Sequence, residues 1–334
     1  MATVSHSFSP KEFQVWIASD ATNAGTSGIH ASNMYQLDID SASMPSLNVN
    51  QVLDVRSGAG RTLKDEDFFQ DNILRATELS ISGNMHLDAG HKLLLQNICN
   101  DVSGDASIAT GFVPASQLYG SSIENIASSL TVVIKSSDHS NQRSLEMSGM
   151  VVTNFVLSAD AGEEGGRYKF SATLQSGVKP DLNESSVSAG SNVYANTTNI
   201  FMSSASGLKV FNTDVVMQSF TATIDSPAVF SGVTSSGYEL VTRGAETAVT
   251  VDTQIKYDGN TKGFINTFDT QTAPRTGTDA NVFVMVNDNA YGIDVQNGVF
   301  TNVAYAEADI MMLDCSIKAV DDGTDPLITF DITS

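Results

Sequence analysis

Hydrophobic and polar residues alternate in many short runs along this chain. Residues 79–88 and 249–258 alternate with a period of two, which places successive side chains on opposite faces of a β-strand. Residues 151–157 and 168–174 alternate as well, and the Gly-rich stretch between them predicts a β-hairpin. The pattern therefore predicts an all-β fold with short helices.

Two stretches with helical spacing interrupt the strand patterns. Ser121-Ser122-Ile123-Glu124 has the form of a capping box and predicts a helix at about 121–130. The Leu-rich stretch 91–99 predicts a second short helix that packs on the sheet. A version of this second helix recurs at about 262–268.

Five strand patterns recur in the same order in the second part of the chain. The matched stretches are 37–41 with 221–226, 79–88 with 249–258, 130–134 with 282–286, 152–156 with 300–304, and 170–174 with 313–317. Each match alone is weak, because amphipathic strands resemble one another. Five matches in one order predict an internal duplication.

The boundary between the two predicted repeats lies at residues 181–191. This stretch is rich in Ser and Asn and has no hydrophobic period, which is typical of a linker. The first repeat then covers residues 1–180, with a long polar loop at 48–71. The second repeat covers residues 192–334 and has shorter loops.

The charge of the chain limits its possible partners. Among 334 residues, Lys and Arg number 17 against 38 Asp and Glu, a formal net charge of −21. Such a field repels phosphate, which disfavours specific nucleic-acid binding through a basic patch. It leaves open the passage of DNA along a surface without binding, and also a role in solubility or in a saline environment.

Signals for export, membrane insertion and disulfide formation are weak. Cys99 and Cys315 lie far apart and outside any CxxC motif, so no disulfide framework is indicated. The opening residues lack the apolar core of a signal peptide, and no run approaches the ~18 apolar residues of a membrane span. The sequence predicts a soluble protein that is made in the cytoplasm.

Motifs that carry chemistry are missing from the sequence. It contains no GxSxG, HExxH, paired CxxC or phosphate-loop motif. His86 and His91 are the closest histidine pair, but without Cys or carboxylate support they indicate a metal site only weakly. Asp321, Asp322 and Asp325 do not match the twelve-residue calcium loop and fit a turn. We therefore predict neither catalysis, cofactor nor metal.

The order of the predicted elements resembles a known fold. A strand with Ile39-Asp40-Ser41 precedes the polar loop 48–71, and an alternating strand, a helix led by Asp and Gly, and a hairpin with Val152-Thr153-Asn154-Phe155-Val156 follow. This order resembles the tail tube fold shared by long-tailed bacteriophages, contractile tails and the type VI secretion tube protein. The resemblance covers nearly the whole chain and implies two tandem tail-tube-type β-sandwich or β-barrel domains. A third, immunoglobulin-like decoration domain, known from a duplicated member, is not recognisable.

The resemblance implies a structural virion protein. Three duplicated chains would close a pseudo-sixfold ring, and the rings would stack into a tail tube that conducts DNA. The implied partners are further copies of the chain, a tape-measure protein in the lumen, tail terminator and distal tail proteins at the two ends, and DNA in transit without specific binding. The implied location is the virion tail, assembled in the cytoplasm of the bacterial host.

Two sets of residues are candidates for contacts in such a tube. The polar faces of the two alternating strands are candidates for the lumen wall, with an ordinary solvated face as the alternative: Glu78, Ser80, Ser82, Asn84, His86 and Asp88, and Thr250, Asp252, Gln254, Lys256 and Asp258. Charged residues of the long loop are candidates for contact with the next ring, with solvated surface charges as the alternative: Arg56, Arg61, Lys64, Asp65, Glu66 and Asp67.

A different class of function also fits the duplication and the acidity. Two β-sandwich domains in tandem are compatible with an adhesion or carbohydrate-binding module, or with a capsid decoration protein. Formation of rings or tubes distinguishes the tube protein from this alternative, which stays monomeric.

Overall fold

The computed structural model describes most of the chain and shows an all-β protein with two short helices. The described residues are 13–19, 34–43, 50–53, 68–71, 77–99, 106–108, 129–136, 144–177, 180–184, 192–202, 205–231, 240–242, 246–277, 280–287, 291–307 and 309–332. Among them, no helix is both long and apolar enough to cross a bilayer.

Short antiparallel strands make up most of these residues. In chain order the strands are β1 (Phe13–Ser19), β2 (Tyr35–Gln36), β3 (Ile39–Ala42), β4 (Asn50–Leu53), β5 (Phe68–Asp71), β6 (Thr77–Asn84), β7 (Ala106–Ile108), β8 (Leu130–Ser136), β9 (Ser144–Asp160), β10 (Lys169–Ser176), β11 (Asp181–Glu184), β12 (Ala205–Val210), β13 (Thr213–Asp214), β14 (Met217–Asp225), β15 (Val229–Ser231), β16 (Leu240–Thr242), β17 (Ala248–Lys256), β18 (Phe283–Asn287), β19 (Tyr291–Val295), β20 (Gly298–Glu307), β21 (Met311–Ala319) and β22 (Ile328–Ile332). The helices are α1 (Ala89–Cys99) and α2 (Phe264–Thr270).

Eight strands form one continuous antiparallel sheet, here called the central sheet. Their order is β3-β6-β10-β9-β14-β17-β21-β20. The first four strands come from the first half of the chain and the last four from the second half. In each group of four, the order across the sheet is first, second, fourth and third strand in chain order. The third strand, β9 or β20, therefore ends its group.

Smaller sheets flank the central sheet, one for each half. The long strand β9 leaves the central sheet and continues between β8 and β11, giving the order β1-β8-β9-β11. In the second half the order is β12-β18-β19-β22. In the second half, β19 pairs in the flanking sheet and β20 pairs in the central sheet. In the first half, the single strand β9 pairs in both. These four-strand orders match, and the second flanking sheet also takes in β7 of the first half, which pairs with β22.

Both halves carry the same irregularity in the central sheet. Thr153 in β9 has no partner in the register with β10, and Thr301 in β20 has none in the register with β21, so each forms a β-bulge. The Thr153 hydroxyl donates to the carbonyl of Thr173, and the Thr301 hydroxyl donates to that of Ser316, both at 3.2 Å. The bulges thus make the same hydrogen bond.

An amide side chain, from α1 in the first half and from the residue after α2 in the second, supports each bulge. The backbone N–H of Val152 donates to Asn97 Oδ1 of α1 at 2.7 Å. The N–H of Phe300 donates to Oε1 of Gln271, which directly follows α2, at 3.2 Å. A bulge leaves backbone groups without ladder partners, and an amide oxygen from the helix satisfies this N–H in each case.

Most core residues belong to one cluster that includes side chains from both halves. It lies between the central sheet and the flanking sheets with their helices, and Phe155, Tyr168, Phe220 and Phe283 are among its fully buried members. A smaller cluster of Trp16, Ala18, Met34 and Val133 lies on the other side of β1 and β8. The helices and flanking sheets cover one face of the central sheet. The other face is uncovered and carries mostly polar side chains.

Several predicted elements are found, with shifted ends. The hairpin of β9 and β10, helix α1 and helix α2 lie where the sequence predicted them. The predicted helix 121–130 falls largely outside the described residues, and Leu130 itself begins strand β8.

The predicted linker and the predicted long loop both contain strands. The linker 181–191 starts with β11, which pairs with β9. The long loop 48–71 is a hairpin at its ends, since β4 pairs with β5. The short strands β4, β5 and β11 have no clear hydrophobic period, which hid them in the sequence.

Candidate assembly edges and polar sheet face

The uncovered side of the central sheet, here called the polar face, is rich in hydroxyl and amide side chains. Neighbouring strands bond to one another across it: Gln175 donates to Glu78, and Gln254 donates to Asp314, both at 2.8 Å. Its charged residues are Glu78, Asp160, Lys169, Asp225, Asp252, Lys256, Asp314 and Lys318. Acidic side chains outnumber basic ones on this face.

Most predicted lumen candidates lie on the polar face. Those that share it, by their alternation and exposure, are Glu78, Ser80, Ser82, Thr250, Asp252, Gln254 and Lys256. Their strands β6 and β17 occupy the second place in the two halves of the sheet. The structure therefore brings these side chains onto one continuous surface.

Four candidates do not belong to that surface, which corrects the prediction. Asn84 and His86 are buried, with exposures of 7% and 1%. Asp88 and Asp258 lie beyond the strand ends and accept backbone hydrogen bonds there, from His91 at 2.9 Å and from Asn260 at 2.8 Å. His86, Asp88 and Asp258 follow the strand ends, where alternation stops. Asn84 is still within β6, opposite Lys169, but it is buried and bonds to Asp38.

Asp88 and Asp258 hold turns rather than face a channel. For Asp88, burial raises the pKa, but the hydrogen bonds and the nearby charge of His91 outweigh burial and the pKa is lowered. For Asp258, backbone N–H groups of Asn260 and Thr261 lower the pKa. Both carboxylates act as acceptors at the start of a helical turn.

His86 belongs to a polar cluster around Asp38. The Asp38 carboxylate accepts hydrogen bonds from His86 Nε2 at 2.8 Å, from Arg167 at 3.0 Å and from Asn84 at 3.1 Å. Arg167 also donates to Asn199 Oδ1. The cluster thus joins β6, the β9–β10 turn and the segment 192–202.

Burial and hydrogen bonding act in opposite directions within this cluster. Burial raises the pKa of Asp38, but the bonds from His86 and Asn84 prevail and hold the pKa below its ordinary value. Burial lowers the pKa of His86 more than the Asp38 bond raises it. At neutral pH the cluster therefore contains an anionic Asp38, a neutral His86 and the cationic Arg167.

The described residues of the second half contain no counterpart of this cluster. The N–H of Lys92 donates to the Asp88 carbonyl and the N–H of Lys262 donates to that of Asp258, so Asp88 and Asp258 correspond. In the same way Met85 and Tyr257 bond to the carbonyls of Tyr168 and Met311. The first half thus has two residues, His86 and Leu87, between these positions, whereas Tyr257 and Asp258 are adjacent. Sequence reasoning missed the cluster, because its members are far apart along the chain.

The central sheet ends in two strands whose outer sides are unpaired within the described part of the chain. At one end β6 is the one described strand that pairs with β3, and at the other β21 is the one described strand that pairs with β20. Only the start of β20 has further backbone partners, since Gly298 forms a bridge with Arg275 and Phe300 donates to Gln271. The exposed N–H and C=O groups of an edge strand can pair with another chain. Sequence reasoning did not single out these edges, because their position depends on strand order.

The predicted contact residues of the long loop, Arg56, Arg61, Lys64, Asp65, Glu66 and Asp67, lie outside the described residues. Within the described part, no group of three or more His, Cys, Asp or Glu side chains is arranged to hold a metal ion. Asp321 and Asp322 accept backbone N–H groups of a turn at 2.8 and 2.9 Å.

Comparison with protein-family models and with curated protein sequences gave no match for this chain.

Proposed function

We propose that this protein is a structural subunit that joins edge to edge into closed rings, which stack into the tail tube of a long-tailed bacteriophage. One observation carries the proposal: the chain already contains, between its halves, the junction that closure requires. Strand β9 ends the first group of four strands, and it pairs with β14, which begins the second group. The free strands β20 and β3 are the counterparts of β9 and β14.

The two halves are copies of one unit in this proposal. Matching strand orders, matching bulges at Thr153 and Thr301, and matching helix amides at Asn97 and Gln271 support a duplication. The bulge of β3 at Asp40 corresponds in the same way to that of β14 at Gln218. Unrelated halves would have no physical reason to repeat bulges at equal places.

A heterologous contact of this kind propagates until it closes. Each chain offers β20 on one side and β3 on the other, so copies add head to tail. Closure pairs both edges of the central sheet and leaves neither β3 nor β20 with an open border. With two units per chain, three chains give the pseudo-sixfold ring that the family resemblance implies.

The polar face supports a role as a conduit. Flanking sheets and helices cover the other face of the central sheet, so a closed sheet encloses a space lined by hydroxyls, amides and an excess of carboxylates. DNA carries one negative charge per ~1.7 Å and binds basic surfaces tightly. A hydrated, acidic lining lets the polymer pass without binding.

The internal junction predicts the register between chains. Thr221 of β14 lies opposite Ser158 of β9, and the bulges place Ser43 and Ala306 at the corresponding positions of β3 and β20. The N–H of Ser43 points inward to the carbonyl of Ser80, so its pair with Ala306 is not hydrogen-bonded. Such antiparallel pairs have Cα atoms about 4.5 Å apart, within the range of a disulfide.

A cysteine pair tests the proposal. The double variant S43C/A306C should form chain-to-chain disulfides under mild oxidation and give a covalent closed trimer on non-reducing gels. The single variants S43C and A306C are the controls, and the native Cys99 and Cys315 are buried. A double variant that stays monomeric on the gel and by light scattering would contradict ring closure.

The adhesion or decoration alternative makes the opposite prediction. A module of that class remains a single chain at high concentration, and negative-stain images would show separate particles. Rings or tubes would exclude it.

A further inference from the structure

Large side chains fill the core side of the junction between β9 and β14. The ring of Tyr168, which directly precedes β10, meets the ring of Phe220 in β14 edge to face, with centroids 5.3 Å apart. Leu157 of β9 is a diagonal neighbour of Phe220, since Leu157 pairs with Ala222, two places after Phe220. Leu157, Tyr168 and Phe220 are exposed by no more than 1%. The two halves of the chain therefore meet in a closely filled apolar contact.

Met311 has in the second half the place that Tyr168 has in the first. The N–H of Met85 donates to the carbonyl of Tyr168 at 2.9 Å, and the N–H of Tyr257 donates to that of Met311 at 3.1 Å. Each donor is the residue directly after the second central strand of its half, β6 or β17. Met85 and Tyr257 are therefore counterparts, and so are the two residues that accept their bonds.

Ala42 of β3 has the place that Phe220 has in β14. Ala42 follows Ile39, where the β3 bulge begins, by three residues. Phe220 follows Met217, where the β14 bulge begins, by the same number. Ala42 pairs with the buried Ile81 and packs against the core while it remains partly exposed. The first half thus has a methyl group where the second half has an aromatic ring.

Tyr305 of β20 has the place that Leu157 has in β9. Leu157 pairs with the residue two places after Tyr168. Tyr305 pairs with the residue two places after Met311, and both side chains lie on the core side of their strands. The second half thus has an aromatic ring where the first half has an aliphatic side chain.

These side chains form an exposed apolar patch beside the free edge β20. We call it the tyrosine patch, formed by Tyr257, Tyr305 and Met311. Tyr305 and Met311 are exposed by 52% and 47%, and the rings of Tyr257 and Tyr305 meet edge to face with centroids 5.5 Å apart. A cluster of large exposed apolar side chains indicates a contact surface. The same place in the fold is therefore covered by β14 in one half and open in the other.

We propose that the first half of the next chain covers the tyrosine patch, and that Tyr305 fills the space that the small side chain of Ala42 leaves open there. The contact rests on the ring closure proposed above and names the side chains that hold it. In the register predicted between chains, Ser43 lies opposite Ala306, so Tyr305 and Ala42 are diagonal neighbours, as Leu157 and Phe220 are within the chain. The occupant is a second copy, because the internal junction shows that the equivalent surface accepts a strand of this same fold.

The exchange of large and small side chains makes each edge selective. If β20 paired with β14, Tyr305 would meet Phe220 and the contact would be overpacked. If β9 paired with β3, a gap would remain between Leu157 and Ala42. Each edge therefore fits one partner edge, which keeps β20 of one chain from displacing β9 in another.

Exchange of the two side chains tests the proposal. Ala42→Phe sets two bulky rings against each other and should raise the critical concentration for ring formation about tenfold or more. Tyr305→Leu leaves a gap and should raise it about fivefold. The double variant A42F/Y305L rebuilds the pair found inside the chain and should assemble within about threefold of the wild type. A double variant that assembles no better than Ala42→Phe would contradict the contact.

Two conservative variants are the matched controls. Tyr305→Phe keeps the ring and Ala42→Ser keeps the small volume, so both should assemble as the wild type does. Urea midpoints of the dilute subunits should be alike for all these variants, because Ala42 and Tyr305 are open to solvent in the single chain. A midpoint lowered by Ala42→Phe and restored by Tyr305→Leu in the dilute subunit would place the contact within one chain and refute the proposal.

Photo-cross-linking locates the contact directly. A benzoylphenylalanine in place of Tyr305, in assemblies of mixed ¹⁴N and ¹⁵N chains, should give mixed-label cross-links to the peptide that contains Ala42. Cross-links that carry a single label, or that map to another region, would be incompatible with the proposed contact.

The two proposals fail in distinguishable ways. If S43C/A306C chains cross-link into closed trimers and the exchange of side chains gives no rescue, only the contact of Tyr305 with Ala42 is wrong. If the disulfide-linked trimer does not form, ring closure itself is wrong and the contact fails with it.

Discussion

The repeated bulge allows one hydrogen bond to be measured in two environments. Thr153 and Thr301 each donate a hydroxyl bond of 3.2 Å to a carbonyl of the neighbouring strand. Thr153 lies at the internal junction and is buried, with 6% exposure, whereas Thr301 lies on the free edge and is exposed. Replacement by Val keeps the shape of each side chain and removes the bond.

The structure gives different magnitudes for the two replacements. Thr153→Val leaves the partly buried Thr173 carbonyl without this donor, which should cost about 1 kcal/mol of unfolding free energy. Thr301→Val leaves a carbonyl that water reaches, so the dilute subunit should lose no more than about 0.5 kcal/mol. In a closed ring, β20 is covered like β9, and the cost of Thr301→Val should approach that of Thr153→Val.

Two assays separate these expectations. Urea unfolding of dilute subunits should shift its midpoint for Thr153→Val, at an unchanged slope, and hardly at all for Thr301→Val. Sedimentation of assemblies should then show a critical concentration raised about tenfold by Thr301→Val, equivalent to about 1.4 kcal/mol. Equal destabilisation of the free subunit by both variants, or normal assembly of Thr301→Val, would refute the argument that β20 becomes covered.

Two further predictions concern the polar cluster and the polar face. Because burial lowers the pKa of His86 in the folded state, the unfolded chain binds the proton more readily, and stability should fall as the pH drops below about 6.5. Urea midpoints between pH 7.5 and 5.5 should show a flatter dependence for His86→Gln, and an unchanged slope would contradict the assignment. Tubes of E78K/D252K, assembled with duplex DNA at about 50 mM salt, should retain DNA that is protected from nuclease, unlike wild-type tubes. The matched control is D269K/D331K, which has the same charge change at exposed acids off this face. Complete nuclease digestion of the DNA bound to E78K/D252K would mean that the polar face lies on the outer surface of the tube.

Strand faces were predictable from the sequence where strands are long and regular. Leu79 and Ile81 are buried while Glu78 and Ser80 are exposed, as the period of two requires. The turn after Asp160 was predictable because Gly and acidic residues interrupt two alternating runs. These features depend on neighbours along the chain, which a sequence displays directly.

The register between the halves was less predictable. The shared Ile-Asp-Ser suggested that residues 39–41 match 224–226, but the β3 bulge aligns Ile39–Ser41 with Met217–Ser219. Likewise β8 matches β18 one residue away from the predicted alignment, since Val15 and Leu208 are equivalent and lie opposite Ile134 and Met285. Val132 and Val133 are both buried, so alternation cannot reveal a one-residue slip there.

The candidate site could be predicted only in part for a related reason. The polar face follows from alternation within β6 and β17. The free edges and the Asp38 cluster depend on which strands become neighbours, and residues as distant as Asp38 and Arg167 carry no local signal of their contact. Long-range pairing, rather than local preference, decides those features.

The extra residues His86 and Leu87 in the first half would make two kinds of strand contact in the proposed ring unequal: the contact between the two halves of one chain, and the contact between neighbouring chains. In the proposed ring, contacts inside a chain would combine a covalent connection with the ion pair of Asp38 and Arg167, whereas contacts between chains would lack that cluster and would depend on backbone pairing and apolar contact. Apolar contacts weaken on cooling. Cooling should therefore open such a ring at the contacts between chains, so that it dissociates into single chains.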